Sequence, residues 1–373
     1  MQKIIISLIT LLIVISCTTQ KEFKKIYKVN SILSIPELFK SIFREKEIVF
    51  LGEFHRIRQQ VEFVNTIIPL LQRQHVHILF SEFANYSDTR LTDSLLTAKD
   101  YDEKLVLQII HRSDWNWAYK EYTEIYKAAW KVNQNLKQGE QPFRIIGLQP
   151  DLNYSAIQTA DDWDNVEKRH LFWNDENNSW LNIIENEAIS KNRKAVVYCG
   201  LHHSFTKYHH PIVINGKFVR FEKDREGTKV YNKYSQMVVT ALFYNPLPEK
   251  PELTGRFIRP FNGVIDSVTQ LLPKKLNEFG FITSKSVLGN RTDTSSYYSM
   301  GYETLVLKDF CDAIIVLGSV CDYEPVTLIE NFTHEGNLEN TIIQAFPYTY
   351  IKDWTVKSCN DTTSVAYKLL KVL

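Results

Sequence analysis

The sequence predicts an α/β protein: a mostly parallel sheet with helices on both faces, plus a C-terminal extension of open topology. Three observations carry that expectation. Strand-like and helix-like segments alternate between Pro36 and Cys199, the order that crossover connections between parallel strands produce. The strand-like segments, such as Ile48-Val49-Phe50-Leu51 and Ala195-Val196-Val197-Tyr198-Cys199, are continuous apolar runs, as expected of strands covered on both sides. Two of those runs stop at matching glycine–histidine corners, Gly52-Glu53-Phe54-His55 and Gly200-Leu201-His202-His203. Ligands of open α/β sheets sit outside such strand ends.

The elements follow in order. Pro36 to Arg44 reads as a short helix with proline in its first turn. Glu47 to Leu51 is a strand. Arg56 to Arg73 carries Ile57, Val61, Val64, Ile67, Ile68 and Leu71 at helical spacing, and Pro69 predicts a kink or an early stop near Thr66. Val76 to Phe80 is a second strand ending at Ser81-Glu82. Helices are expected over Ser87 to Leu96, Glu103 to Ile110 and Tyr119 to Leu136. Phe143 to Leu148 is a third strand followed by Gln149-Pro150-Asp151, Asp161 to Ala188 is largely helical, and Lys194 to Cys199 is a fourth strand. Beyond residue 205 the pattern weakens. Val213 to Phe221 reads as a hairpin around Asn215-Gly216, and Gln236 to Tyr244 as a strand. Pro246 to Pro260 holds four prolines and reads as loop. Ile265 to Phe279 is helical in pattern, with Pro273 a possible break. Asp312 to Leu317 is a buried strand, and Thr362 to Leu373 fits a terminal helix.

The chain of 373 residues is 44% apolar, enough for a substantial core. Its formal charge of +1 gives no global field for nucleic acid. The 19 tyrosines and 21 phenylalanines read as packing. Lys3, the apolar stretch Ile4 to Ile15 and Val14-Ile15-Ser16-Cys17 read as a processing signal, too short to span a bilayer comfortably. The expected organisation is a lipoprotein signal over residues 1–16, lipidation at Cys17, a polar tether over 17–30 and one α/β domain over 31–373. Residues 246–300 are an insertion or cap. The expected localisation is a bacterial envelope membrane, with the lipid anchor as the membrane contact and a small-molecule ligand as the partner. Cys199 and Cys311 lie in or beside apolar runs, no CxxC pair is present, and Cys321 with Cys359 is the most plausible bridge.

If the first four strands are neighbours, Glu53, His55, Glu82, Asp151 and His203 approach one sheet edge. Carboxylates and imidazoles gathered this way can ligate a metal, with His55, Glu82 and His203 as ligands. They can act without metal as general base and orienting partner for water. They can also bind haem through His55, His203 or His202. His209 and His210 extend the histidine-rich second corner, although a solvated loop is the plainer reading. His75 and His77 read as surface positions. Trp115 and Trp117 could wall a pocket or pack under the next helix. P-loop, GxGxxG, GxSxG and HExxH motifs are absent.

These residues resemble the Tiki superfamily, which groups ChaN-like haem-uptake lipoproteins, TraB-like proteins, Tiki metalloproteases and erythromycin-esterase-like hydrolases. The resemblance is carried by Val49-Phe50-Leu51-Gly52-Glu53-Phe54-His55, by Glu82, by Asp114-Trp115-Asn116-Trp117-Ala118-Tyr119 and by Gly200-Leu201-His202-His203. It covers roughly residues 45–220, is closest in spacing to the ChaN-like branch, and extends weakly to residues 300–320. Erythromycin-esterase-like proteins usually have one more residue between the glutamate and histidine of the first corner. The resemblance implies an α/β fold with Glu53, His55, Glu82 and His203 at its site, but its branches differ between binding and hydrolysis. The leading expectation is therefore an envelope lipoprotein that binds haem or a divalent metal ion, with a role in iron uptake. The alternatives are a hydrolase acting on an ester or peptide through Glu53, His55, Glu82 and His203, or a non-catalytic interaction protein.

Overall fold

A computed structural model describes residues 32–157, 159–173, 179–253, 256–271, 278–339, 341 and 355–360. The expected signal, Cys17, the tether and the C-terminal helix over 362–373 lie outside the described residues. In chain order the structure runs through α1 (Ile35–Phe43), β1 (Ile48–Glu53), α2 (Arg58–Arg73), β2 (Ile78–Asn85), α3 (Thr89–Thr97), α4 (Glu103–Ser113), α5 (Lys120–Gln134) and β3 (Arg144–Gln149). It continues through α6 (Val166–Trp173), α7 (Trp180–Glu187), β4 (Ala195–Gly200), α8 (Leu201–Ser204), β5 (His210–Ile214), β6 (Lys217–Glu222), α9 (Glu226–Tyr234) and β7 (Val238–Phe243). Last come β8 (Leu247–Pro248), β9 (Phe257–Ile258), α10 (Val264–Leu271), β10 (Glu278–Ile282), β11 (Thr292–Asp293), β12 (Leu305–Val306), α11 (Leu307–Phe310) and β13 (Ala313–Leu317).

The main sheet has seven strands in the order β10-β13-β7-β1-β4-β2-β3. β1 pairs with β4, β4 with β2, β2 with β3 and β7 with β13 in parallel, while β10 runs antiparallel to β13. The fold is α/β, as the alternation of patterns predicts. The chain divides into two compact units.

The larger unit comprises the described parts of Phe43–Thr206, Asp224–Thr240 and Tyr323–Leu373. Its strands β1, β2 and β4 are buried at every position. One side of this sheet packs Ile48, Phe50, Ile78, Phe80, Val197 and Cys199 against Trp180, Ile183 and Ile184 of α7. Each such side chain contributes roughly 1.5–3 kcal/mol by leaving water. Helix α2 continues through Pro69 rather than stopping near Thr66. A mid-helix proline costs about 3 kcal/mol, and the burial of Val61, Val64, Ile67, Ile68 and Leu71 along the same helix outweighs it. The expected helix over 161–188 is instead a short 3₁₀ turn at Ala160–Asp164, then α6 and α7. β2 runs on to Asn85, five residues past its expected end. Arg144, at the start of β3, is held by Asp93 at 2.7 Å and Glu187 at 3.1 Å.

The smaller unit comprises the described parts of Met1–Ile42, Lys207–Lys223 and Ala241–Asp322. β5 and β6 form the expected hairpin, with Asn215 and Gly216 at φ of 51° and 73°. Both central residues are left-handed, the geometry that matches strand twist and that Asn-Gly accommodates. His210 is buried against Tyr297 and Tyr298. The His209 backbone exchanges hydrogen bonds with the Tyr302 hydroxyl. These two residues therefore belong to a packed tyrosine cluster and not to a solvated loop. The stretch 246–260 contains the paired strands β8 and β9. The segment expected to be helical to Phe279 instead leaves its helix at Leu271 and enters strand β10 at Glu278. Phe279 and Phe281 are both buried in it, and its backbone pairs with β13. Cys321 and Cys359 are both free thiols, so the expected bridge is absent.

Candidate functional site

β1 carries Glu53 at its end, 1% exposed. A buried carboxylate is tolerated only when it is paired and hydrogen-bonded, and Glu53 is. The Tyr122 hydroxyl, from α5, donates to Oε1 at 2.6 Å, and the Tyr198 hydroxyl, from β4, donates to Oε2. Burial and the charge of Glu53 push both phenols well above their ordinary range, so both remain donors. His55 Nδ1 lies 2.8 Å from the same Oε1. An ionised carboxylate only accepts, which fixes Nδ1 as the protonated nitrogen and leaves Nε2 for chemistry. The turn between them is held by the Phe54 N–H donating to Gln60 Oε1 at 2.8 Å.

The His55 ring presents its edge to Trp117 at 5.0 Å and to Phe83 at 5.8 Å between centroids. Its side chain keeps 40% of its surface. Burial is the largest single influence on the imidazole and disfavours its charge. The Glu53 hydrogen bond, with the charges of Glu53 and Glu82, outweighs burial and raises the His55 pKa above 6.5.

Glu82 lies within β2, 7% exposed. Its Oε2 accepts the Gly200 N–H at 2.6 Å, and its Oε1 lies 3.5 Å from His203 Nε2. The His203 ring stands 5.0 Å from Trp180, and its Nδ1 is buried without a partner among the described residues. Gly200 is the hinge of the arrangement. A Cβ there would stand 2.5 Å from His55 Cε1 and Nε2 and 3.5 Å from Glu82 Oε2. Only glycine lets the first imidazole lie over the end of β4.

The structure thus brings Glu53, His55, Glu82 and His203 together around Gly200. Two expected members lie elsewhere. Asp151 accepts from Ser87 Oγ at 2.7 Å and from Asn85 Nδ2 at 3.4 Å, in a separate polar group. His202 stacks on Phe205 at 5.9 Å, because one helical turn directs consecutive histidines to different sides. Tyr122 and Tyr198 escaped the sequence reading as site residues, and Trp117 proves to be a wall of the site. Tyr198 offered a signal: it is the one phenol in an otherwise apolar strand, and a buried hydroxyl needs a partner.

Residues 324–329 form a strap that also escaped it. The Val326 N–H donates to Arg56 O at 3.1 Å, and the Arg58 N–H to Glu324 O at 2.8 Å. The Ile329 N–H donates to Ala118 O and the Lys120 N–H to Thr327 O, both at 2.9 Å. Thr327 donates its N–H and its hydroxyl to the Glu121 carboxylate, each at 2.7 Å. The chain just past His55 and the chain just past Trp117 are therefore tied to one segment.

Among the described residues, His, Cys, Asp and Glu form no metal-binding group of three or more. Of the expected ligands His55, Glu82 and His203, His55 spends Nδ1 on Glu53 and Glu82 spends Oε2 on Gly200. His203 turns Nε2 to Glu82 and encloses Nδ1.

No family model and no curated protein matches the sequence. A Bacillus cereus protein of known structure aligns at TM-score 0.51 and 11% identity, over 84% of this chain and 99% of its own. A structure described as a succinoglycan biosynthesis protein gives 0.49 at 10% identity, over 83% and 99%. The haem-binding ChaN of Campylobacter jejuni gives 0.35 at 11% identity, over 79% of this chain and 97% of its own. The first of these likenesses is one of fold, and it accords with the α/β architecture above.

Proposed function

We propose that the chain is a hydrolase acting on an ester or peptide bond, with His55 as its general base. The observation that carries this reading is the 2.8 Å bond from His55 Nδ1 to a buried Glu53 that two tyrosines hold in place. Such a carboxylate fixes the tautomer and plane of the ring and stabilises the imidazolium formed when Nε2 takes a proton. In this reading Nε2 removes a proton from the attacking water and returns it to the leaving group. Glu53 holds the ring throughout, and the Glu82–His203 pair lies beside Gly200. The raised His55 pKa means that the free-base form, and with it the rate, increases as pH climbs through a value above 6.5.

The test is a panel of esters and peptides, run with and without chelator. His55→Ala is expected to lower kcat/KM by about 10²–10⁴-fold, and chelator is expected to leave the rate unchanged. Turnover that persists at full rate in His55→Ala would overturn the reading.

The same hydrogen bond favours a second reading, in which His55 is a haem ligand. A carboxylate on Nδ1 strengthens Nε2 as an axial donor, and Phe83 and Trp117 supply apolar edges for a flat ligand. Haemin titration separates the two. An absorbance band that His55→Ala removes, in a protein inactive on the panel, would favour haem. We also propose that lipid at Cys17 holds the chain on the bacterial envelope. Labelling with a palmitate analogue should mark the full chain and not Cys17→Ser.

A further inference from the structure

Arg56 follows His55 directly, at φ 69°. A bulky side chain in the left-handed region costs of order 1–3 kcal/mol and persists only where its surroundings impose it. Here they do: the Arg56 N–H donates to Tyr122 Oη at 3.2 Å, and its carbonyl accepts from Val326. The guanidinium lies 5.4 Å from the Trp117 ring centre and 5.6 Å from that of Tyr119. Among the described residues no carboxylate forms an ion pair with it, and its Nε is buried without an acceptor. The neighbouring acid, Asp114, spends its Oδ1 on Asn116. A cation laid on aromatic faces, with its donor fork unspent, is arranged to receive a planar anion. The same Trp117 ring edges His55, so the anion site and the imidazole share one wall.

We propose that Arg56 is the specificity residue of this site and that its substrates carry a carboxylate or phosphate group beside the bond to be cleaved. The proposal deepens the hydrolase reading, and its test is separable from turnover because binding is read in the full chain carrying His55→Ala. The probes are phenylphosphonate, benzoate and neutral benzamide, followed by tryptophan fluorescence or calorimetry. Phenylphosphonate and benzoate should bind more tightly than benzamide. Arg56→Gln should weaken both anions by about 10- to 100-fold, the range expected for losing hydrogen bonds to a charged group, and leave benzamide unchanged. Arg56→Lys should retain part of the preference. Arg56→Gly should lose it while matching or exceeding the parent in thermal stability, because glycine relieves the left-handed backbone. Equal affinity for benzamide and the anions, or anion binding unaltered in both Arg56→Gln and Arg56→Gly, would overturn the proposal. An active enzyme should show a matching rise in KM for anionic substrates.

Discussion

At the first corner, β1 runs through Glu53 before the chain turns, so His55 lies two residues past a buried carboxylate and shares it with Tyr122 and Tyr198. At the second corner, β4 ends at Gly200 and one helical turn carries His203 onto Trp180, with only a 3.5 Å approach to Glu82. Both corners place histidine three residues after glycine. Strand geometry beyond the glycine gives the first imidazole a defined tautomer and a raised pKa. Helical geometry gives the second a looser partner and an enclosed Nδ1. Equal spacing in sequence therefore yields one imidazole bonded to a buried carboxylate and one only near its carboxylate.

The sharpest way to break this contrast is to remove each ring in turn. His55→Ala should cost about 10²–10⁴-fold in kcat/KM, whereas His203→Ala should cost roughly tenfold or less. Equal losses would abolish the distinction. Gly200→Ala tests the hinge. Its Cβ would meet the His55 ring at 2.5 Å, and displacing a reacting group by about 1 Å can cost roughly 10²-fold in rate. Rate and melting temperature should be measured together, because the substitution is expected to change the first far more than the second.

Glu53→Gln sharpens the electrostatic part. With the Glu53 charge gone, the largest support of the charged ring is lost, so the His55 pKa should fall, read by NMR titration of the ring. The acid limb of the pH–rate profile should move to lower pH with it. Stability carries the complementary sign. A pKa raised on folding contributes stability that is full below 6.5 and lost as pH rises through the folded value. The difference in denaturant midpoint between the parent and His55→Ala should therefore shrink from about pH 5 to about pH 9. The smallest expected effect concerns the strap. Thr327→Val removes the hydroxyl bond to Glu121 and should cost about 1 kcal/mol in stability, with a modest fall in rate if the strap positions His55 and Trp117.

Much of the fold was legible because continuous apolar runs and helical periods are local signals. Ile48-Val49-Phe50-Leu51 and Ala195-Val196-Val197-Tyr198-Cys199 announce buried strands, and Asn215-Gly216 announces its hairpin turn. Local rules failed where burial or pairing overrode them. Pro69 sits inside a continuous helix because its neighbours are buried on one face. Phe279 and Phe281 became strand because β10 pairs with β13. Of the site, Glu53, His55, Glu82 and His203 were visible as polar residues at the ends of apolar runs. Asp151 shows the same local signature, yet it serves a different cluster.

By itself, then, the sequence determined the elements whose apolar period is unbroken, such as β1, β4 and α5, and the polar residues that follow those runs, since both follow from side-chain period and chain chemistry within a few residues. Only the tertiary structure decided that β4 pairs with β1 and also with β2. That pairing sets Tyr198 beside Glu53, the Gly200 N–H against Glu82 and the His55 ring in the space a Cβ would fill. Those partners lie more than a hundred residues apart in the chain, and the interactions joining them reach only a few ångströms, so no local pattern encodes them.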